Sequence, residues 1–241
     1  MTERARSASG KEPAGSTSLI PREPGLDPVA GAVILAGGRG SRMGEGEPKP
    51  LRILAGRPLI AHVADRLGAI RPVVVNAPAD GSFDAYGDHV APDLRSGFQG
   101  PLAGIEAGMD WLGAEDERMT HALVLPSDTP FLPNDLVPLL LAEASSSRVL
   151  VASHRGRLHP TVSLWPITLL STLAEWLDDE RPRAIRAFLD HAGYRTVSFD
   201  DLAGDWGPEG DPFANVNTPE DLAQAERRLE ARAGKGCGPS R

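Results

Sequence analysis

Short apolar runs alternate along this chain with stretches whose apolar residues recur every three or four positions. Ala32-Val33-Ile34-Leu35 is a four-residue run stopped by glycines, the pattern of a strand covered on both faces. Val73-Val74-Val75 and Ala122 to Leu125 repeat the pattern, and Arg148 to Ala152 and Thr161 to Trp165 read as further strands. Helical periods lie between them. Pro58 opens a helix in which Ile60, Val63, Ala64 and Leu67 share one face, with Gly68 after the last of these. The next helix runs from about Leu102 to Leu112 and turns Leu102, Ile105, Met109 and Leu112 inward. Others are predicted from about Asn134 to Ala144, Ile167 to Leu177 and Pro182 to Ala192. Thr218-Pro219-Glu220-Asp221 opens the last one, with Thr218 as N-cap, Pro219 at the first helical position and an acid at the third. Strands alternating with helices predict a mostly parallel sheet covered on both faces, a three-layer α/β/α Rossmann-like fold. Ligands of such sheets sit at the carboxyl ends of the strands, so the residues just past each strand are the ones to inspect.

This patterning fills residues 29–232 as one domain. Residues 1–28 are rich in Ser, Gly, Pro and charge, bury too little to offset the entropy of ordering, and are predicted to be a flexible tail. Residues 233–241 read the same way. Of the 241 residues, 41% are hydrophobic, enough for a substantial core. The net charge of −8 argues against the counterion release that drives nucleic-acid binding, so no DNA or RNA partner is expected. The single cysteine, Cys237, can form neither an internal disulfide nor a cysteine metal site, which points to a reducing compartment. No apolar stretch approaches the roughly 20 residues that span a bilayer, and no signal-type apolar run follows the N-terminal arginines. A cytoplasmic protein without a membrane partner is expected.

The first strand runs into Leu35-Ala36-Gly37-Gly38-Arg39-Gly40-Ser41-Arg42-Met43-Gly44. Glycines without Cβ atoms let backbone N–H groups approach a ligand and converge on it, which suits phosphate oxygens. Arg39, Arg42 and Lys49 add positive charge suited to a triphosphate. The dinucleotide fingerprint starts at Gly38 and Gly40 but meets Met43 at its third glycine, and Lys49 lies between two prolines instead of in a Gly-Lys-Ser/Thr P-loop. A plain flexible connection would explain the glycines but not three cations among them.

Polar residues follow the other strands. Asn76 comes directly after Val73-Val74-Val75, where it either caps a turn or contacts a base or ribose. Asp93 precedes the Gly/Pro turn Gly97-Phe98-Gln99-Gly100-Pro101, which leads into a helix whose first N–H groups are free for a ligand. Asp128, in Pro126-Ser127-Asp128-Thr129-Pro130, is three residues past its strand and fixed by prolines. Such a carboxylate can share Mg²⁺ with phosphate oxygens and water, or can cap a turn. Asn215 and Asn217 share one side of an extended segment, where they either reach a ligand or shape the entry to the last helix. His159 precedes a strand, and the other histidines show no metal-ligand spacing. No nucleophile–base constellation stands out, and Trp111, Trp165, Trp176 and Trp206 read as core or boundary residues.

In combination these segments resemble a known family. Leu35-Ala36-Gly37-Gly38-x-Gly40-Ser41-x-Met43-Gly44 with Lys49 is similar to the signature of NTP transferases that make nucleotide sugars and related cofactors. Val75-Asn76-Ala77, Gly100-Pro101-Leu102-Ala103-Gly104-Ile105, Asp128-Thr129-Pro130-Phe131-Leu132-Pro133 and Phe213-x-Asn215-Val216-Asn217-Thr218-Pro219-Glu220-Asp221-Leu222 resemble the molybdenum cofactor guanylyltransferases in particular. His159-Pro160-Thr161 and Arg183-x-x-Arg186-x-Phe188-Leu189 fit as well. The matches keep their order from about Gly31 to Leu229. One departure is Pro48, which stands before Lys49 where the family usually carries Asp.

The resemblance implies a nucleotidyltransferase fold and Mg²⁺-dependent transfer of GMP from GTP to the phosphate of molybdenum-bound molybdopterin, with release of pyrophosphate. Lys49 and Arg42 with the loop N–H groups would hold the triphosphate, and Leu35, Ala36, Gly37, Gly38, Asn76 and Asp93 would line the nucleotide. Asp128 would carry Mg²⁺ with Asn217 as a second contact, and His159, Asn215 and Asn217 would face the acceptor. A molybdoenzyme or chaperone would take the product. Two alternatives remain at this point: a sister transferase using CTP or another phosphorylated acceptor, and a non-catalytic nucleotide-binding module.

Overall fold

The computed structural model describes residues 28–37, 48–97, 99–179, 181–201 and 210–235. The two predicted tails, apart from their innermost residues, and Trp206 and Cys237 lie outside the described residues. Chain order runs β1 (Ala30–Leu35), β2 (Ile53–Leu54), β3 (Arg57–Pro58), α1 (Leu59–Ala64), β4 (Val73–Asn76), β5 (His89–Ala91) and α2 (Pro101–Glu115). It continues through β6 (His121–Pro126), α3 (Leu136–Ala142), β7 (Val149–His154), β8 (Arg157–Pro166), α4 (Leu170–Asp178), α5 (Ile185–Ala192), β9 (Tyr194–Ser198) and α6 (Pro219–Lys235).

Seven strands form one sheet in the order β5-β4-β1-β6-β8-β7-β9. β1 pairs in parallel with β4 and β6, β4 with β5, and β7 with β9, while β8 runs antiparallel to both β6 and β7. The sheet is therefore mostly parallel, and β1, β4, β6 and β7 end on the same edge. Side-chain alternation along the strands divides the core into two layers. Ala32 and Ile34 of β1 join Ile60, Val63, Leu136 and Leu140 from α1 and α3 on one face. Val33 and Leu35 join Leu102, Ile105, Met109 and Leu112 from α2, with Leu173 and Phe188 from α4 and α5, on the other. The three-layer α/β/α architecture follows from that division.

The elements differ from expectation where the sheet meets solvent. β5 and β9 form the two edges of the sheet, and neither carries the run of buried apolar residues that marks the central strands; β9 has no buried residue. The helix from Pro58 is a short α-helix continued by a 3₁₀ turn at Asp65–Leu67. Ile167–Leu169 is likewise a 3₁₀ turn leading into α4. Pro58 also closes a small hairpin with β2, turned by Ala55 at φ 49° and Gly56 at φ 78°. That hairpin, Leu59, Phe131 and Val216 form a separate apolar cluster with Ala225 of α6.

α2 contains glycines at 104 and 108 in spite of their poor helix propensity, because it lies close against the sheet. A Cβ on Gly108 would stand 2.5 Å from both methyls of Val33. Two effects oppose each other in Gly108→Ala: helix propensity favours it by about 1 kcal/mol, while forced overpacking against a β-branched neighbour costs about 1–3 kcal/mol. The contact is with the stiff base of Val33, so the packing cost should win. The thermal midpoint is expected to fall by a few degrees, at roughly 2–4 °C per kcal/mol for a chain of this size; a rise would mean that α2 can move off the sheet freely.

Candidate active site

The residues singled out past the strand ends gather along one edge of the sheet. β5, β4, β1 and β6 are consecutive neighbours, and Asp93, Asn76, Ala36-Gly37 and Asp128 lie at or just beyond their respective ends. At about 4.8 Å per strand, this row and the adjacent β8 extend roughly 19 Å. Gly38 and Arg42, with the rest of the loop to Glu47, lie outside the described residues.

On the β5–β4–β1 side, Asn76 is the organising residue. Its backbone carbonyl accepts from the N–H groups of Ala36 and Gly37 at 2.9 and 2.8 Å, so the chain leaving β1 is tied down at its first turn. Its side chain is buried and donates through Nδ2 to the Ala91 carbonyl at 3.1 Å and to Asp93 Oδ1 at 2.9 Å. The Oδ1 atom sits between two glycines: a Cβ on Gly37 would stand 3.2 Å from it, and one on Gly104 only 2.1 Å. Gly104 is thus required by the approach of α2 to Asn76. α2 itself starts after Gly100, at φ 74°, with Pro101 at its first position and no side-chain cap on its N–H groups. An uncapped N-terminus of this kind carries partial positive charge and free donors toward the same edge.

At the end of β6 three distant segments meet. Lys49, in a 3₁₀ turn from Lys49 to Leu51, donates from Nζ to Asp128 Oδ2 and, at 2.6 Å, to Asn217 Oδ1. The Lys49 and Asp128 side chains are each 16% exposed, so the ion pair is partly shielded from solvent screening. The other carboxylate oxygen, Asp128 Oδ1, is buried and has no hydrogen-bond partner among the described residues. The Asp128 carbonyl accepts from the Val216 N–H at 2.8 Å, which brings the Asn215–Asn217 segment alongside. Asn217 is held in turn by the start of α6. Asp221 Oδ2 accepts from the N–H groups of Asn217 and Thr218 at 2.8 and 2.9 Å, and Thr218 Oγ1 accepts from the Asp221 N–H at 3.1 Å. That reciprocal cap is the one expected from Thr218-Pro219-Glu220-Asp221. Asn215 is exposed, like Asn217, on either side of buried Val216.

His159 lies on the other side of β6. Pro160 has no N–H for the ladder, and the β7–β8 register shifts beside it, from Val151 opposite Ser163 to Ala152 opposite His159. The displaced strand puts the His159 ring 4.7 Å from that of Phe213, with Nε2 3.7 Å from Asp211 Oδ2. Asp211 was not signalled by the sequence; it follows no strand and belongs to no motif. Its other oxygen caps the Phe213 N–H at 2.8 Å, so His159, Asp211 and Phe213 form one unit leading into Asn215.

Residues 32–194 match the MobA-like NTP transferase domain. The chain belongs to the MobA-like NTP transferase family. A protein of Bradyrhizobium sp. (strain ORS 278), named molybdenum cofactor guanylyltransferase, is 42% identical to this NTP transferase over 199 residues, covering 81% of this chain and 91% of the relative. A protein of the same name from Rhizobium meliloti (strain 1021) is 40% identical over 201 residues, covering 82% and 91%. The crystal structure of molybdopterin-guanine dinucleotide biosynthesis protein A from Archaeoglobus fulgidus superposes with a TM-score of 0.66 at 23% identity, covering 83% of this chain and 98% of that one. The fold is that of a nucleotidyltransferase, and so is the enzyme class. Among its described residues no helix is long and apolar enough to cross a membrane.

Burial holds the His159 imidazole below its ordinary value near 6.5; the charges of Arg157 and His154 act in the same direction and the Asp211 carboxylate opposes them. A ring kept neutral in the folded transferase takes up protons more readily once the chain unfolds, so stability should fall as pH drops below about 6.5. His159→Gln is expected to flatten that acid-side decline of the thermal midpoint. An unchanged slope would show that the ring is not shielded.

Proposed function

We propose that this transferase moves GMP from GTP to the terminal phosphate of molybdenum-bound molybdopterin, forming molybdopterin guanine dinucleotide and pyrophosphate. The observation that carries the proposal is the meeting of Lys49, Asp128 and Asn217 at the end of β6, between the glycine-lined Asn76 side and the His159 side. The relatives named for this reaction support the choice of nucleotide and acceptor. In the reaction a phosphate oxygen of the acceptor bonds to the α-phosphorus of GTP as the bond from that phosphorus to the β-phosphate oxygen breaks. The acceptor oxygen is already ionised, so the site needs no protein nucleophile and no general base.

The residues at Asp128 fit a divalent cation. Asp128 offers a buried carboxylate oxygen with no partner among the described residues, and Asn217 Oδ1 meets the other carboxylate oxygen at the Lys49 ammonium; both are hard donors. Among the described residues no group of three or more His, Cys, Asp and Glu side chains could hold a metal by itself. A cation held at Asp128 would need most of its ligands from water and phosphate oxygens, which is the habit of Mg²⁺. When bound, Mg²⁺ offsets the charge that develops on the departing pyrophosphate. The protein's own contribution is placement and charge. Lys49 and Arg42 hold the triphosphate with the loop N–H groups, and Asp128 orients the cation. Leu35 to Gly37, Asn76 and Asp93 receive the guanosine part, Gly38 contributes to the nucleotide site, and His159, Asn215 and Asn217 receive the pterin part. The reaction takes place in the cytoplasm, and a molybdoenzyme or its chaperone accepts the product.

Incubation with GTP, Mg²⁺ and molybdenum cofactor, followed by mass analysis of the pterin, tests the proposal; a product carrying CMP with CTP, or none with any NTP, refutes it. Asp128→Ala should keep its thermal midpoint within a few degrees and lose at least about a hundredfold in turnover, the scale of several kcal/mol of charge stabilisation. Near-normal turnover would remove the metal assignment. Lys49→Ala deletes a charge-assisted contact of about 1.5–3 kcal/mol, so GTP affinity should weaken roughly 10- to 100-fold and the rate should fall with it. Unchanged affinity and rate would refute the role of Lys49.

A further inference from the structure

The connection from β5 to α2 contains an ion-pair cluster to which the reaction assigns no part. Arg95 lies two residues past Asp93. Its Nε and Nη2 donate to the two oxygens of Glu106 at 2.8 and 2.7 Å, Nη2 also donates to the Ala174 carbonyl at 3.1 Å, and Nη1 donates to Asp178 Oδ1. One guanidinium thus joins the loop to α2 and to α4. Glu106 is only 3% exposed and stands between Ile105 and Ala107 in the apolar face of its helix. Both Glu106 and Asp178 hold the guanidinium firmly in its charged form, with its pKa raised above the ordinary arginine value.

A buried ion pair of this kind is a poor device for stability alone. Well-packed apolar residues in its place are often neutral or stabilising, whereas removal of one partner leaves a bare buried charge. Its distinctive property is geometric. In the same connection Gly97 and Gly100 have φ angles of 79° and 74°, and Leu94 is 58% exposed. Only two side-chain anchors among the described residues bracket Asp93, the bond from Asn76 Nδ2 on one side and the Arg95 cluster on the other.

We propose that Arg95 is a positioning residue for the nucleoside end of the nucleotide site. By clamping the loop to Glu106 and Asp178 it fixes Asp93 relative to the uncapped first turn of α2. The proposal rests on the reading that Asp93 receives the guanosine part of GTP.

The test compares wild type with Arg95→Met and with the double variant Arg95→Met/Glu106→Leu, which leaves no buried carboxylate unpaired, because Asp178 is exposed, and keeps the site assessable if the single variant folds poorly. Titration calorimetry with GTP and with inorganic tripolyphosphate, both with Mg²⁺, separates the nucleoside end from the phosphate end. The double variant should retain the wild-type thermal midpoint within a few degrees. Its GTP Kd and KM should rise about tenfold with a smaller change in kcat, while its tripolyphosphate Kd stays within about twofold of wild type. Equal GTP affinity in the double variant and wild type overturns the proposal, and so does a parallel loss for GTP and tripolyphosphate. If wild type binds tripolyphosphate no more weakly than GTP, the nucleoside reading of Asp93 fails first and takes the role of Arg95 with it.

Discussion

One ammonium group joins parts of the chain that are 79 and 168 residues apart. Lys49 meets Asp128 and Asn217 at a point that no single element could build. Each of the three is delivered by a local constraint. Lys49 stands at the start of a 3₁₀ turn whose third residue packs against the core. Asp128 is held by prolines on either side and by the Val216 N–H on its carbonyl. Asn217 is fixed by the cap that starts α6. A bare carboxylate held largely out of water would be expensive, and at partial burial the lysine offsets that expense more effectively than it could on an exposed surface. The start of the last helix is thereby tied to Lys49 by a charged contact, beside the apolar cluster that joins α6 to the β2–β3 hairpin.

What could be read from the sequence follows from where the residues sit. β1, β4 and β6 are central, covered on both faces, and therefore appear as unbroken apolar runs; their ends located Asn76 and Asp128 directly. The edge strands gave no such signal. β9 is Tyr-Arg-Thr-Val-Ser without one buried position, and β5 is three residues with a single buried alanine. The cap at Thr218 was legible because capping is a matter of residue types at fixed offsets. Contacts between distant charged residues were not. No residue type or spacing pairs Glu106 in a helix with Arg95 in a loop, and only the fold shows that α2 turns Glu106 inward to meet the arginine.

Of the two sequence readings of Asn76, the structure displays the turn-shaping one, while the nucleoside contact belongs to the proposed function. The amide nitrogen is spent on structure, tying Ala91 and Asp93 to the end of β4. The amide oxygen points into the space kept open by Gly37 and Gly104. Glycine in the middle of a helix is unfavourable, so its presence at 104 needs a reason, and the 2.1 Å clash that any Cβ would make with this oxygen supplies it. The same absence of side chains brings the β1 exit, the start of α2 and the Asp93 loop within reach of one ligand. In the proposed reaction the resulting wall recognises the nucleoside, while Lys49, beyond the end of β6, attends to the phosphates.

The reversal of one strand gives the second substrate of the proposed reaction a different kind of surface to bind. In a wholly parallel sheet the neighbour of β6 would also end at the ligand edge and lead into a loop. β8 runs the opposite way, so it enters the sheet from that edge and brings side chains from its first residues, not from a following turn. Pro160 interrupts the ladder there, and the resulting bulge leaves His159 packed on Phe213, just ahead of the two asparagines. Asp128 thus stands at a topological boundary: strands to one side of it present their ends, and the strand to the other side presents its beginning. In the proposed reaction the nucleotidyl group passes between two ligands at this line, and the fold sets the candidate metal ligand and its paired lysine on it.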